Sequence, residues 1–336
     1  MTITSNFPTT LYAAASGGGV STGRTSGDPM AASTAWTASR WGGTIRLATG
    51  TYTGTATIPS RASVNAQDGA TITATGLYLL PGLDAGTVTL NGVTSSRRSG
   101  AVASSVEHLL MVPSGWTGDG TKMGIVYLHG ATGTSRQMVD GVNQAGLKAL
   151  LLAVAQAGYP ILGVLTGDTW GNDTAMTRID AAKTYLQSTV GAKAGDIALI
   201  GGSMGGCNVL NWCKRNLASV ACAVGMVPVS DVSDVHTNNR GGLTTNINSA
   251  YGTWSEASYG AARNPVTFAA AGDLAGLNYL AFGSSGDAIC IASTVQAVCT
   301  SIGGTATYTG VTGDHTAAVA NISSATVISF LDANQT

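Results

Sequence analysis

Residues 197–206 constrain this chain more tightly than any other segment. Ile197, Ala198, Leu199 and Ile200 run without a spacer into Gly201, Gly202, Ser203, Met204, Gly205 and Gly206, and a helix-compatible stretch follows. An apolar run that empties straight into glycines and then a helix is a strand-to-helix turn too sharp for side chains beside the serine, and it fits G-x-S-x-G. The pattern alone is weak: with 46 glycines in 336 residues, composition gives about 0.6 chance matches. Gly19, Val20, Ser21, Thr22 and Gly23 do form a second match, in a Gly/Ser/Thr loop with no strand before it and no helix after it. Context therefore separates the two. At residues 201–205 the turn aims Ser203 Oγ outward and sets the Met204 N–H at the positive end of a helix, where a developing oxyanion would be stabilised.

The surroundings of that turn repeat its logic. From residue 107 onward, strands are expected at 123–128, 161–165, 196–200, 221–226, 277–282 and 305–309, with helices at 139–157, 173–189, 204–217, 289–301 and 316–332. Such alternation marks an α/β domain with a doubly wound, mainly parallel sheet, expected over residues 105–336. The first hundred residues differ: they hold 20 of the 44 threonines and short alternating runs around residues 44–47, 55–58, 63–66, 71–74, 77–80 and 87–90. Close, even spacing of such runs predicts a small all-β domain over residues 1–98, its strands following a short alanine-rich helix at 30–41. The small polar residues 95–100 are expected to link the two parts.

Only 33 residues are charged, 10% of the chain and well below the roughly 25% of an ordinary soluble domain. A net charge of −1 with no basic run removes the counterion-release term on which nucleic-acid binding depends. The most apolar stretch, residues 147–165, is broken by Lys148, Gln156 and Pro160, so no membrane span is expected. Residues 1–16 lack the basic leader and continuous apolar segment of a secretory signal. The five cysteines, Cys207, Cys213, Cys222, Cys290 and Cys299, show no CxxC spacing and read mostly as buried small apolar residues.

In a doubly wound sheet, ligands sit beyond the carboxyl ends of the strands, so the loops there carry the chemistry. One late loop, Gly283 to Asp287, ends in a carboxylate, and a later one presents His315 after Gly313 and Asp314. Serine needs an imidazole base, and that imidazole needs a carboxylate to hold its tautomer; Ser203, His315 and Asp287 fill these roles in that chemistry. Asp231 and Asp234 are rival carboxylates, whereas Asp314 reads as a capping residue and His129, His108 and His236 as structural histidines. The loop after Tyr127 and Leu128, running His129, Gly130, Ala131, Thr132 and Gly133, offers a second oxyanion donor, with Ala131 first and Thr132 next. Neither a metal nor an organic cofactor is required. Residues 231–265, long for a connection and carrying Tyr251, Trp254 and Tyr259, are expected to form a cap whose Trp254, with Trp170 and Met204, walls the substrate; core packing by these aromatics is the alternative.

With these motifs in place, residues 107–336 resemble the α/β-hydrolase superfamily, in particular esterase-like members from bacteria and actinobacteriophages. The resemblance rests on GGSMGG, YLHGATG, GSSGD and GDH in order and spacing, with the segments around 168–173 and 228–251 in support; the oxyanion loop departs in having fewer glycines than many lipases. It implies ester hydrolysis through an acyl-enzyme. The run from Gly42 to Ala74 resembles the opening coils of pectate-lyase-like β-helices, which in phage tails commonly attach or trimerise. Together with low charge and only five lysines, this is similar to phage minor tail proteins and implies a virion enzyme acting on esters of a host-envelope glycan or lipid, with other tail proteins as partners and a homotrimer as a possible assembly. A non-catalytic tail adhesin, and a free bacterial esterase or depolymerase, extracellular or cytoplasmic, are the alternatives.

Overall fold

The computed structural model describes residues 107–113, 116–138 and 145–335, together with eight short strands before residue 100. These are β1 (Thr10–Ala14), β2 (Met30–Ala31), β3 (Gly43–Leu47), β4 (Gly50–Gly54), β5 (Ala62–Ala66), β6 (Ala70–Ala74), β7 (Thr87–Leu90) and β8 (Val93–Ser99). Two parallel ladders arise from them, β2-β1-β3-β5 and β4-β6-β7. Like residues share register positions: Ile45 faces Val64, and Thr51, Thr71 and Thr87 fall in one row, as do Thr53, Thr73 and Thr89. Met30 and Ala31, expected to open a helix, pair instead with Ala13 and Ala14 as strand. Small alanine side chains fit either backbone, and the ladder decides. The expected strands at 55–58 and 77–80 and the second GxSxG match lie outside the described residues.

The expected linker also changes character. Residues 95–99 belong to β8, which pairs antiparallel with β7 and with β9 (Glu107–Pro113). Serine and threonine tolerate extended backbone as readily as a loop, and pairing on both sides satisfies their N–H and C=O groups.

The remaining strands are β10 (Ile125–Leu128), β11 (Ile161–Val164), β12 (Ile197–Ser203), β13 (Val220–Pro228), β14 (Tyr279–Ser284) and β15 (Ala306–Val311). From β9 their order is β9-β11-β10-β12-β13-β14-β15, parallel throughout except for the β9–β11 pair. Helices α1 (Ala145–Gln156), α2 (Asp173–Ser188), α3 (Met204–Asn216), α4 (Val232–Thr237), α5 (Thr244–Tyr251), α6 (Glu256–Arg263), α7 (Pro265–Ala270), α8 (Ala292–Ile302), α9 (Ala317–Ala320) and α10 (Ser324–Ala333) accompany it.

Central strands are buried on both faces, which is why they read as continuous apolar runs rather than alternating ones. Val126, Leu128, Ile197 and Leu199 pack with residues of α2, α3 and α8 on one face, while Ile125, Tyr127, Ala198 and Ile200 pack with α1 and α10 on the other. The final helix, expected as one, is two. Asn321 turns its amide back to the Thr312 carbonyl at 2.8 Å, and Ser323 caps α10 by accepting from the Thr326 N–H. Residues 231–265 are three helices rather than an open loop. β10 neighbours both β11 and β12, so chain direction across the sheet reverses there and the loops after β10 and β12 meet.

Candidate active site

Ser203 closes β12 and stands at the start of α3 with φ 53°. Left-handed backbone is strained for serine and persists only where the surroundings impose it. Here backbone crowding imposes it. A side chain at Gly201 would run into the Gly205 carbonyl, one at Gly205 into the carbonyls of Leu128 and His129, and one at Gly206 into Pro228. The loop after β10 closes on the same point, since a Cβ on Gly130 would lie 3.3 Å from Ser203 Cβ.

Three side chains expected from the sequence come together. Ser203 Oγ lies 3.0 Å from His315 Nε2, and His315 Nδ1 lies 2.7 Å from Asp287 Oδ2. The Asp287 side chain is wholly buried, and its Oδ1 accepts from the backbone N–H groups of Ile289 at 2.8 Å and Cys290 at 3.0 Å. Both carboxylate oxygens are thereby satisfied, the condition for holding a charge inside a protein. With Asp287 as acceptor, Nδ1 donates and Nε2 keeps a lone pair facing the serine hydroxyl.

Rival groups are engaged elsewhere. Asp231 caps α4, accepting from the Asp234 N–H at 3.1 Å and the Asn264 amide at 3.0 Å, and Asp234 pairs with Arg240. Asp314 accepts from the N–H groups of Thr316 and Ala317, the capping role read from sequence. His236 meets Asn248 Oδ1 at 2.9 Å. His129 is buried; its Nε2 accepts from the Thr166 N–H at 3.0 Å and its Nδ1 donates to the Gly130 carbonyl at 2.8 Å. Burial holds its pKa below the ordinary histidine value.

The β10 loop is pinned by two side chains that sequence reading did not assign. Gln137 Oε1 accepts from the Gly130 N–H at 3.1 Å, and Asp168 Oδ1 accepts from the Thr132 N–H at 2.6 Å. Gly133 N–H is taken by the Gly130 carbonyl. Thr132, the second-choice oxyanion donor, is therefore occupied, whereas the Ala131 N–H has no acceptor among the described residues. Asp168 also accepts from Asn246 at 2.6 Å, and Asn246 accepts from Trp170 Nε1 at 2.5 Å. No single position in the sequence signals this chain of contacts, because it joins three segments, around 132, 168–170 and 246, that lie dozens of residues apart.

A cavity of about 310 Å3 borders Ser203 and His315, its wall largely apolar and including Leu147, Met226, Val227, Val319 and Ala320. Trp170, Trp254 and Met204 are not part of that wall. They are buried in a second cluster with Val232, Val235 and Ile247, Trp254 donating to Ser233 Oγ and set edge-on against Tyr251. Large apolar side chains bury first against one another, so the structure places these three in a core rather than in the wall of that cavity.

All five cysteines are free and buried. Cys290 adjoins the site: its Sγ and ligand atoms of Asp287 and His315 lie within 4.8 Å of one another, the one such grouping among the described residues that could hold a metal ion. Burial, reinforced by the Asp287 charge, pushes the Cys290 thiol far above its ordinary pKa and keeps it protonated.

No protein-family model and no curated protein sequence matches the chain. Solved structures do. A carboxyl esterase from the mycorrhizal fungus Tuber melanosporum superposes with a TM-score of 0.55 at 16% identity, over 76% of this chain and 92% of its own. A Pyrococcus furiosus esterase superposes at 0.51 and 15% identity, over 72% and 92%. The chain carries the α/β-hydrolase fold. Prolyl endopeptidases share it too, at 0.52 and 16% identity, and of these much longer chains only 38% is spanned.

Proposed function

We propose that the chain is a serine hydrolase cleaving carboxylic esters through an acyl-enzyme. The observation that carries this reading is the unbroken relay Asp287–His315–Ser203, set on a strained strand-to-helix turn beside an apolar cavity. His315 Nε2 takes the proton as Ser203 Oγ attacks the ester carbonyl, and the protonated ring returns it to the departing alcohol. Asp287 holds the ring's tautomer and favours the imidazolium. The Ala131 and Met204 N–H groups receive the oxyanion, each such donor contributing about 10² to 10³ in rate. Water then repeats the cycle on the acyl-enzyme. Esterases matched over 92% of their own length lend support to an ester substrate, whereas the peptidases that share the fold are matched over only 36–38% of theirs.

For the setting of this reaction, we propose a phage tail protein whose front strands wind as coils of a short β-helix and whose ester substrate belongs to a host-envelope glycan or lipid. The parallel ladders β3-β5 and β4-β6-β7 support the coils, since β3, β4, β5 and β6 alternate between two sheets and threonines share register positions. Attachment to other tail proteins and a homotrimer belong to the same reading. Light scattering on the purified chain tests it: a trimer is expected, and a monomer favours a free esterase.

The catalytic reading is tested by hydrolysis of short chromogenic esters by the wild type and by Ser203→Ala, with folding checked by circular dichroism. Turnover present in the first and absent in the second is expected. Equal turnover in both would remove Ser203 from the reaction, and none in either would favour a ligand-binding adhesin.

A further inference from the structure

The cavity beside Ser203 contains a residue whose conformation its own side chain disfavours. β12 and β13 pair in step from Ala198 opposite Cys222 to Gly202 opposite Met226, and then Ser203 falls opposite Pro228. Val227 is left as a bulge between them. Its φ is 41°, a steric outlier for a β-branched residue, and it is 1% exposed. Glycine would hold this backbone without strain, and glycine occupies the crowded neighbours Gly201 and Gly225. A valine is held there only if its side chain gains contacts that offset the strain. Buried as it is, it borders the cavity, whose wall it shares with Ser203, His315, Met226 and Val319.

We infer that Val227 is a specificity-determining residue, setting how long an apolar chain of the ester the cavity accepts. The inference rests on the reading of Ser203 as nucleophile and adds the substrate class: esters bearing a short, straight apolar group. At about 310 Å3 and with a largely apolar lining, the cavity lies at the small end of ligand sites and suits such a group. The same chemistry serves an acyl chain or an alkyl alcohol. The bulge sets Val227 in the wall that Ser203 also borders, and in an apolar pocket one methylene changes discrimination by about tenfold or more.

The test compares wild type with Val227→Ala and Val227→Ile on two ester series, one lengthening the acyl chain from acetate to octanoate and one lengthening the alcohol from ethyl to octyl. Val227→Ala is expected to raise the kcat/KM ratio of longer over shorter esters about tenfold per methylene admitted, and Val227→Ile to lower it. A shift in the first series seats the acyl group in the cavity, and a shift in the second seats the alcohol; either supports the inference. Calorimetric binding of alkanoates and alkanols in a Ser203→Ala background reads the cavity without turnover, so loss of the esterase reading leaves Val227 still testable. An unchanged chain-length profile in the folded variants, in turnover and in binding, overturns it.

Discussion

Replacing Asp287 by asparagine isolates one element of the relay while leaving its packing in place. The carboxylate makes two kinds of contact: Oδ1 accepts from two backbone N–H groups, and Oδ2 faces His315 Nδ1 at 2.7 Å. An asparagine amide satisfies both only with its oxygen toward the backbone donors and its NH2 toward the ring. Nδ1 must then accept, so the ring proton moves to Nε2, where it faces the Ser203 hydroxyl and can no longer receive a proton from it. Loss of the base in its working tautomer lowers kcat by about 10⁴, equivalent to roughly 5–6 kcal/mol of transition-state stabilisation. Stability should move by no more than about 1–2 kcal/mol, because every buried donor keeps a partner. Asp287→Ala provides the contrast, since it strands two buried N–H groups and lowers Tm as well as kcat. The assay is single-turnover hydrolysis of an activated ester alongside thermal unfolding. A folded Asp287→Asn enzyme within tenfold of wild type would refute the reasoning, as would an equal loss in Asp231→Asn or Asp234→Asn, whose carboxylates are bound to α4 and Arg240.

Other consequences follow from the same contacts. Gly205→Ala thrusts a Cβ against the carbonyls of Leu128 and His129, so it should lower stability by about 1–3 kcal/mol or more in denaturant titration and displace the β10 loop, with kcat falling further than stability alone explains. Trp254→Ala empties a site in the α4–α6 core and should cost about 3–5 kcal/mol by chemical unfolding while leaving the chain-length profile of any folded fraction unchanged; a changed profile would restore Trp254 to the substrate. His129 is held neutral by burial, its folded pKa below the 6.5 of the free side chain. The unfolded chain therefore binds more protons between those two values, so its share of stability is intact above about pH 6.5 and declines as pH falls toward the folded pKa, by at most about 1.4 kcal/mol per unit. The difference in Tm between wild type and His129→Gln should accordingly narrow on acidification below pH 6.5, and a constant difference would contradict it.

What the sequence made legible was whatever depends on neighbours along the chain. Apolar runs ending in small residues located β10, β12, β13 and β14 within two or three residues, and the turn chemistry at Gly201, Gly205 and Gly206 located Ser203. The serine–carboxylate–histidine order was readable because each member ends or follows its own strand. Contacts between distant segments were not readable in this way. Asp168 pins the β10 loop from 36 residues away, a position with no local signature. Trp170 and Trp254 carry the composition of a binding wall, yet they satisfy their indole N–H groups and are buried in one apolar cluster with residues of the insertion. The small polar run at 95–99 looks like a linker until pairing on both of its edges makes it a strand.

Ser203 and Val227 show how one constraint can be visible and its counterpart hidden. Both occupy left-handed backbone, at φ 53° and 41°, on adjacent strands that fall out of step at this point. For Ser203 the sequence advertises the strain, because a tight turn needs glycines on either side and four are present. For Val227 nothing local does: Met226, Val227, Pro228 and Val229 read as the unbroken apolar end of a buried strand. The bulge is a consequence of the neighbour. Where β12 ends at Ser203 and α3 begins, the partner strand takes up one extra residue, Val227, between Met226 opposite Gly202 and Pro228 opposite Ser203. The geometry that exposes the serine thus also sets the side chain bordering its cavity, coupling reactivity and size selection through a single break in register.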